Sequence, residues 1–467
     1  MTDEPALLAR EGRDASRGSA IKLAAEVLSR LVGLATTLLL IRGLGASDFG
    51  AFGRLSVMAL LAAELAELGL QTLASRALVA GSLSLRALVR VRLVLLACVG
   101  GVAIACAALA PVLSPLVLWF VLSGWGEFLG VALRSRGRRV AEAVLLLCLR
   151  SLGLVAAALV LSRGGDLAAL AWALAASVLP ALLLGALLVR RSPGAGADAS
   201  VATVAREALP LALHGGLVLL SPRVEFLVLS LLRGDRETGL FLAALRVYEF
   251  LNVVPAAVSA GAMPGLTREA LRGRGEVRER TAWTLAFLAV PAAIGLGLVA
   301  PAVARLLLGG GYDSADYTAT ETALRLLALA LPALFMNGLL LSALVAASRG
   351  SRLPRLTAVR VCVALLLALP LVTRAGSAGA ALGIVIAEWL LLALAARACR
   401  TAAFSVELAR PLAWALVATL PMAVAVVGVR DELWIALPLG AAVQLGAVLV
   451  ARRLAAGREA AGDLRYP

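Results

Sequence analysis

Residues 139–190 read RVAEAVLLLCLRSLGLVAAALVLSRGGDLAALAWALAASVLPALLLGALLVR, and this stretch decides the fold. It holds two continuous Leu/Ala-rich runs, near 140–162 and 167–189, parted only by the polar turn Arg163-Gly164-Gly165-Asp166. Each run has about the 20 residues that an α-helix needs to cross a bilayer. A lipid-facing barrel strand would be shorter and would alternate apolar with polar residues, which neither run does. Helices are therefore the spanning elements, since hydrocarbon offers no partners to the backbone groups of an open alternative.

The same texture extends in both directions. The chain is 467 residues long and 61% hydrophobic, with a mean hydropathy of +0.95, beyond the apolar content of a soluble domain. Further runs near 20–41, 53–74, 91–111 and 114–134 bring the first half to six spans. A polar linker over 191–206, containing Ser192-Pro193-Gly194-Ala195-Gly196-Ala197-Asp198, follows. Six more runs lie near 207–232, 240–264, 282–308, 322–347, 356–373 and 377–399, and a last pair near 411–429 and 433–451. The pattern predicts an all-α polytopic membrane protein of fourteen transmembrane helices. Its parts are a six-helix lobe over 1–190, a cytoplasmic linker over 191–206, a second six-helix lobe over 207–400, and helices 13 and 14 with a cytoplasmic tail over 401–467.

Arginine placement supports that map, because short loops rich in Arg should alternate with poor ones. One side collects Arg86, Arg90 and Arg92, then Arg134, Arg136, Arg138 and Arg139, then Arg349, Arg352, Arg355 and Arg360. The other side holds isolated arginines such as Arg42, Arg163, Arg233 and Arg374. Both termini are thus expected in the cytoplasm. The formal charge of +15 is spread over these clusters between apolar runs, a pattern of membrane orientation and not of a nucleic-acid-binding domain. The five cysteines lie in or beside apolar runs without CxxC spacing, so neither a disulfide framework nor a metal site is expected. No cofactor motif is present. The start of the chain lacks an A-x-A cleavage signal, so helix 1 is expected in the mature protein.

Two halves of equal span number invite a search for duplication. Arg42-Gly43-Leu44-Gly45-Ala46-Ser47-Asp48-Phe49-Gly50-Ala51-Phe52 and Arg233-Gly234-Asp235-Arg236-Glu237-Thr238-Gly239-Leu240-Phe241 both end in Gly-x-Phe before a new span. Ser135-Arg136-Gly137-Arg138-Arg139 recurs as Ser348-Arg349-Gly350-Ser351-Arg352 between the fourth and fifth span of each half. An even number of spans per half makes the two lobes parallel repeats.

Charges inside the spans point to function. Arg30, Arg150, Arg223, Arg246 and Arg325 lie in apolar runs with Glu26, Glu64, Glu67, Glu127, Glu225, Glu249 and Glu388. A lipid-facing charge at the bilayer centre costs about 2.5 to 3.5 kcal/mol on insertion scales, so these groups pair, face a wet cavity or sit near the interface. Glu26 and Arg30 have the spacing of a same-face ion pair. Glu64, Glu67 and Gln71 form one polar stripe, and Arg246, Glu249 and Asn252 form another. His214 is the only histidine and reads best as a packing or interfacial residue.

Three segments carry a resemblance: Arg42 to Phe52 with Glu67-Leu68-Gly69-Leu70 after it; Leu308-Gly309-Gly310-Gly311-Tyr312-Asp313-Ser314-Ala315; and Gly376-Ser377-Ala378-Gly379-Ala380-Ala381, leading to Glu388. In order and spacing they resemble the polysaccharide-exporter (O-antigen and exopolysaccharide flippase) branch of the multidrug/oligosaccharidyl-lipid/polysaccharide flippase superfamily. The second segment lacks that branch's usual Phe. The resemblance implies a flippase that moves a polyprenyl-diphosphate-linked oligosaccharide across the inner membrane by alternating access, with the bilayer and a glycan polymerase as partners. It implies that Arg30, Arg223 and Arg246, with Arg54 and Asn252, bind diphosphate and sugar, because guanidinium forks suit phosphate oxygens. Glu64, Glu67 and Glu249 either bind a coupling ion or neutralise arginines. Two rivals stand: a drug or metabolite antiporter of the same fold, and a membrane glycan polymerase or ligase.

Overall fold

The computed structural model describes residues 4–67, 69–107, 112–190, 197–272, 275–399 and 409–460, and every regular element among them is helical. The chain divides into two compact units. Unit 1, Met1–Leu220, holds α1 (Glu4–Glu67), α2 (Leu70–Ala80), α3 (Leu85–Ala107), α4 (Leu113–Ser135), α5 (Arg139–Ser162), α6 (Leu167–Arg190) and α7 (Val201–Leu220). Unit 2, Ser221–Pro467, opens with a 3-10 turn over Ser221–Arg223. It continues through α8 (Val224–Leu232), α9 (Asp235–Leu251), α10 (Val253–Arg272), α11 (Glu276–Leu308), α12 (Ser314–Ala328), α13 (Leu331–Ala346), α14 (Leu353–Ala398), α15 (Ala409–Val427) and α16 (Leu433–Ala460).

Among the described residues, nine helices are long and apolar enough to cross a membrane, or ten when the bent pair α12 and α13 counts as one span. Two of the expected breaks fall where the backbone leaves helical φ/ψ, and one boundary differs from the sequence reading. The runs near 20–41 and 53–74 meet at Gly45 (φ 75, ψ 172), where two helices join within α1, and the second run is itself divided at Gly69, since α1 ends at Glu67 and α2 begins at Leu70. The apolar stretch that contains Gly45, Val27–Glu64, is 38 residues long. The runs near 356–373 and 377–399 likewise meet at a bend, Gly376, within α14. The region 312–321, expected as a loop, is helical from Ser314 onward. Asp313 accepts from the Asp316 N–H at 2.9 Å and Asp316 accepts from the Asp313 N–H, a reciprocal capping box that starts α12 at once.

Glycine geometry explains two of the motifs. Gly376 has φ 55, where a β-carbon would strike Glu237 Oε1. That carboxylate accepts the Ser377 N–H at 2.7 Å, so the bend in α14 is pinned to the first turn of α9. Gly69 has φ 67, and a β-carbon there would lie 2.6 Å from the Ala212 nitrogen. Only glycine permits both that conformation and that approach of α7.

Corresponding devices recur in the two units. Gly45 (φ 75, ψ 172) and Gly234 (φ 81, ψ 174) share one backbone conformation, and the phenylalanines seven residues on, Phe52 and Phe241, are both buried. Arg136 and Arg138, in the turn before α5, donate to the Val189 and Leu188 carbonyls at the end of α6, at 2.9 and 2.7 Å. In unit 2 Arg352, just before α14, donates to the Ala398 carbonyl at that helix's end, at 2.9 Å. Each arginine satisfies carbonyls that a helix C-terminus leaves unpaired. The final pair, α15 and α16, packs against α11 through Val299, Met422, Val426 and Ala436.

Candidate functional site

Each unit carries a cluster built on a buried arginine–glutamate pair. In unit 1, Arg92 of α3 and Glu67 at the end of α1 form a buried ion pair. The Arg92 guanidinium lies over the Trp125 and Phe128 rings of α4, 5.1 and 5.0 Å from their centroids. Aromatic faces attract a desolvated cation, which helps to hold an arginine away from water. Gln71 of α2 donates to Glu127 of α4 at 3.3 Å, bringing a second carboxylate to the group. Glu64 approaches α7, where a β-carbon on Gly215 would lie 3.4 Å from its Oε1. Arg92 Nη1 makes no hydrogen bond.

In unit 2, Arg360 of α14 donates through Nη2 to Glu388 Oε1 at 2.9 Å, and through Nη1 to the Ser221 hydroxyl at 2.7 Å and the Ser221 carbonyl. Asn337 of α13 donates to Glu388 Oε2 at 2.8 Å and to the Glu388 carbonyl at 3.0 Å. The turn at Ser221–Arg223 and the bend of α14 together deliver these groups to one place. Glu225 of α8 joins them from the next turn and is completely buried.

The expected site residues are distributed as follows. Glu67 lies in the unit 1 cluster and Glu64 beside it. The stripe Glu64, Glu67, Gln71 does not run along one helix, however, because α1 ends at Glu67 and α2 begins at Leu70. Arg246 and Glu249 form an ion pair of 2.6 Å on α9, half-buried on both sides. Asn252 is exposed at the junction of α9 and α10, and Arg30 is exposed on α1. Arg54 is half-buried on α1, and Arg223 stands in the 3-10 turn beside Glu225. The side chains of Glu26 and His214 lie outside the described residues, as does linker segment 191–196. Arg92 and Arg360, assigned from the sequence to charged loops, are instead buried helical residues.

Arg150 stands at the middle of α5, its side chain 60% exposed, and pairs with Glu127 at 3.9 Å. Pairing is one of the outcomes open to a charge inside a span. Outside the spans, burial and then the Asp316 charge push the Tyr312 phenol up to about 12, so it is a neutral hydroxyl at any physiological pH. Among the described residues no group of three His, Cys, Asp or Glu is placed to hold a metal ion.

Comparison with known proteins follows this geometry. A structure of lipid II flippase MurJ in an inward closed conformation superposes with a TM-score of 0.70 at 15% identity, covering 93% of this chain and 99% of that one. An inward-facing multidrug resistance MATE transporter superposes with a TM-score of 0.63 at 18% identity, over 82% and 99%. A transporter of the same superfamily from Pyrococcus furiosus gives 0.56 at 18% identity, over 82% and 94%. No curated protein matches in sequence. The fold is the one that these flippase and transporter structures share. The chain belongs to the lipid II flippase MurJ family, whose model matches residues 149–436, more than half of its length. Proteins of this family are transporters, not enzymes, which sets aside the polymerase or ligase reading.

Proposed function

We propose that this chain is a flippase that carries a polyprenyl-diphosphate-linked oligosaccharide from the cytoplasmic to the outer leaflet of the inner membrane by alternating access. The observation that carries this reading is the family match over residues 149–436, since the family is named for lipid II, a lipid-linked substrate. The exporter-like motifs at Arg42 to Phe52 and Gly376 to Ala381 widen the substrate class from lipid II to related glycan lipids. Arg30, Arg54, Arg223 and Arg246, with Asn252 and the mid-span Arg150, supply donors for diphosphate and sugar oxygens. Glu64, Glu67 and Glu249 neutralise those arginines or take a coupling ion. Fourteen crossings, two six-helix parallel repeats and cytoplasmic termini complete the reading. The matched glycines Gly45 and Gly234 and the arginine-capped ends of α6 and α14 support the repeats. A glycan polymerase would receive the product.

The likeness to MATE transporters favours one second reading, a drug antiporter of the same fold. Binding separates the two. Purified protein is titrated with a fluorescent polyprenyl-diphosphate disaccharide and with a lipophilic organic cation. The flippase reading expects the lipid to bind and Arg246→Ala to weaken it about tenfold or more, as loss of a charge-assisted hydrogen bond would. Binding of the cation alone, abolished by Glu249→Gln and indifferent to Arg246→Ala, would replace it with the antiporter.

A further inference from the structure

Arg325 is a charge inside a span that neither buried cluster uses. It lies on α12 eleven residues beyond Ser314, about 16 Å at 1.5 Å per residue and so about half-way across a hydrocarbon core. Glu321, one turn earlier, pairs with it at 2.7 Å. Ser314, Thr318 and Thr322 fall every four residues on the same side of the helix, and all three are exposed, as Arg325 is. The opposite side, with Ala323, Leu324, Leu327 and Ala328, is buried. Other spans expose large apolar side chains, Val144, Val155 and Leu159 on α5 and Leu179 and Leu183 on α6. On α12 none is exposed before Leu329, at the bend of 42° into α13. Hydrocarbon is a poor neighbour for a row of hydroxyls that ends in an ion pair.

The row also borders a cavity. A groove of about 450 Å³ runs between α12 and the part of α14 that follows the bend at Gly376, lined by Ser314, Thr318, Thr322 and Ser377 with Ala315 and Ala319 between them. Its volume falls in the range of about 300 to 1,000 Å³ typical of small-ligand sites. Its chemistry is one-sided. Thr318 donates its hydroxyl hydrogen to the Ser314 carbonyl at 2.9 Å, and Thr322 donates to the Thr318 carbonyl at 2.8 Å. A hydroxyl has one hydrogen and two lone pairs, so with the hydrogen held by the helix each threonine offers the groove an acceptor. A diphosphate, rich in oxygens and poor in hydrogens, finds little there. A sugar matches it, because every sugar hydroxyl can donate, and the small alanines leave room for its ring.

We propose that this groove is a sugar-binding subsite, in which the threonines of α12 accept from the hydroxyls of a carried glycan and Arg325, held by Glu321, offers donors at the inner end. It lies toward the end of the α12–α13 span opposite the Arg349 to Arg352 turn, the outer end on the topology read from the arginines, and so receives the glycan on the release side. The subsite rests on the flippase reading, and it assigns recognition of the sugar to residues other than the arginines proposed for the diphosphate.

Binding to the purified protein tests it, with two fluorescent probes: a polyprenyl-diphosphate disaccharide and the same polyprenyl diphosphate without sugar. Native protein should bind the disaccharide lipid more tightly. Thr318→Val with Thr322→Val keeps the side-chain shape and removes both acceptors. It should weaken binding of the disaccharide lipid about tenfold or more, as loss of two neutral hydrogen bonds would, and leave the sugar-free lipid unchanged. Thr318→Ser with Thr322→Ser keeps the acceptors and should bind as native protein does. Equal affinity of native protein for the two lipids, no loss in the valine variant, a loss shared by both lipids, or the same loss in the serine variant would overturn the subsite and leave the flippase reading standing. Should neither lipid bind native protein, the flippase reading falls and the subsite falls with it.

Discussion

The two buried clusters use the same pair of charges in opposite ways. In unit 2, Arg360 is hydrogen-bonded through both amino groups, and the group left over is an acid, Glu225. In unit 1, Arg92 leans on the Trp125 and Phe128 rings, and the group left over is a donor, its Nη1. Unit 2 therefore has spare capacity for a positive partner and unit 1 for a negative one. The difference follows from the neighbours each helix provides. Alpha-14 meets a serine carbonyl and an asparagine, whereas α3 meets aromatic faces, which attract charge without consuming hydrogen-bond donors.

The largest way to break this contrast is Arg360→Met. It strands Glu388 in the interior and should cost about 3 to 5 kcal/mol, measured by denaturant unfolding in detergent micelles. Arg360→Met with Glu388→Leu should recover most of the loss, since an apolar pair of similar size carries no desolvation penalty. Arg92→Met should cost about 1 kcal/mol less, because only one of its amino groups is hydrogen-bonded and one such bond is worth about that much. Trp125→Leu sharpens the comparison most finely. It removes one of the two aromatic faces against Arg92 and should cost about 0.5 to 2 kcal/mol while leaving the unit 2 cluster untouched, as hydrogen exchange at α8 and α14 would report.

Much of the fold was legible in the sequence because apolar length is a blunt and reliable signal. The runs near 140–162 and 167–189 became α5 and α6 to within a residue. The breaks at Gly45 and Gly376 were legible too, since each glycine parts two apolar runs and at each the backbone leaves helical φ/ψ before a second helix follows. Composition marks such glycines as turns without saying whether the helix restarts at once. The site was less legible. Arg92 and Arg360 were read with their loop neighbours because they sit close in sequence to Arg90 and Arg355. Helical spacing held the missing signal: Arg360, Ala364, Ala368 and Val372 fall every four residues on one buried stripe of α14. Arg92 shares its helix face with Leu88, and Arg86 and Arg90 point outward. Glu64, Glu67 and Glu249 were recognised as charges inside spans; the structure pairs Glu67 with Arg92 and Glu249 with Arg246, and sets Glu64 against Gly215 of α7. Asn337 and Ser221 carry no distinguishing sequence pattern, because their roles depend on which carboxylate and guanidinium the fold brings to them.

The measurement that bears most directly on the central claim is translocation itself. A fluorescent polyprenyl-diphosphate disaccharide is placed in proteoliposomes, and its movement between leaflets is followed by quenching from outside. Native protein should move the lipid, and Arg246→Ala should reduce the rate about tenfold or more, in protein that inserts normally. No movement of any polyprenyl-diphosphate lipid, with accumulation of a lipophilic organic cation in the same vesicles, would contradict it.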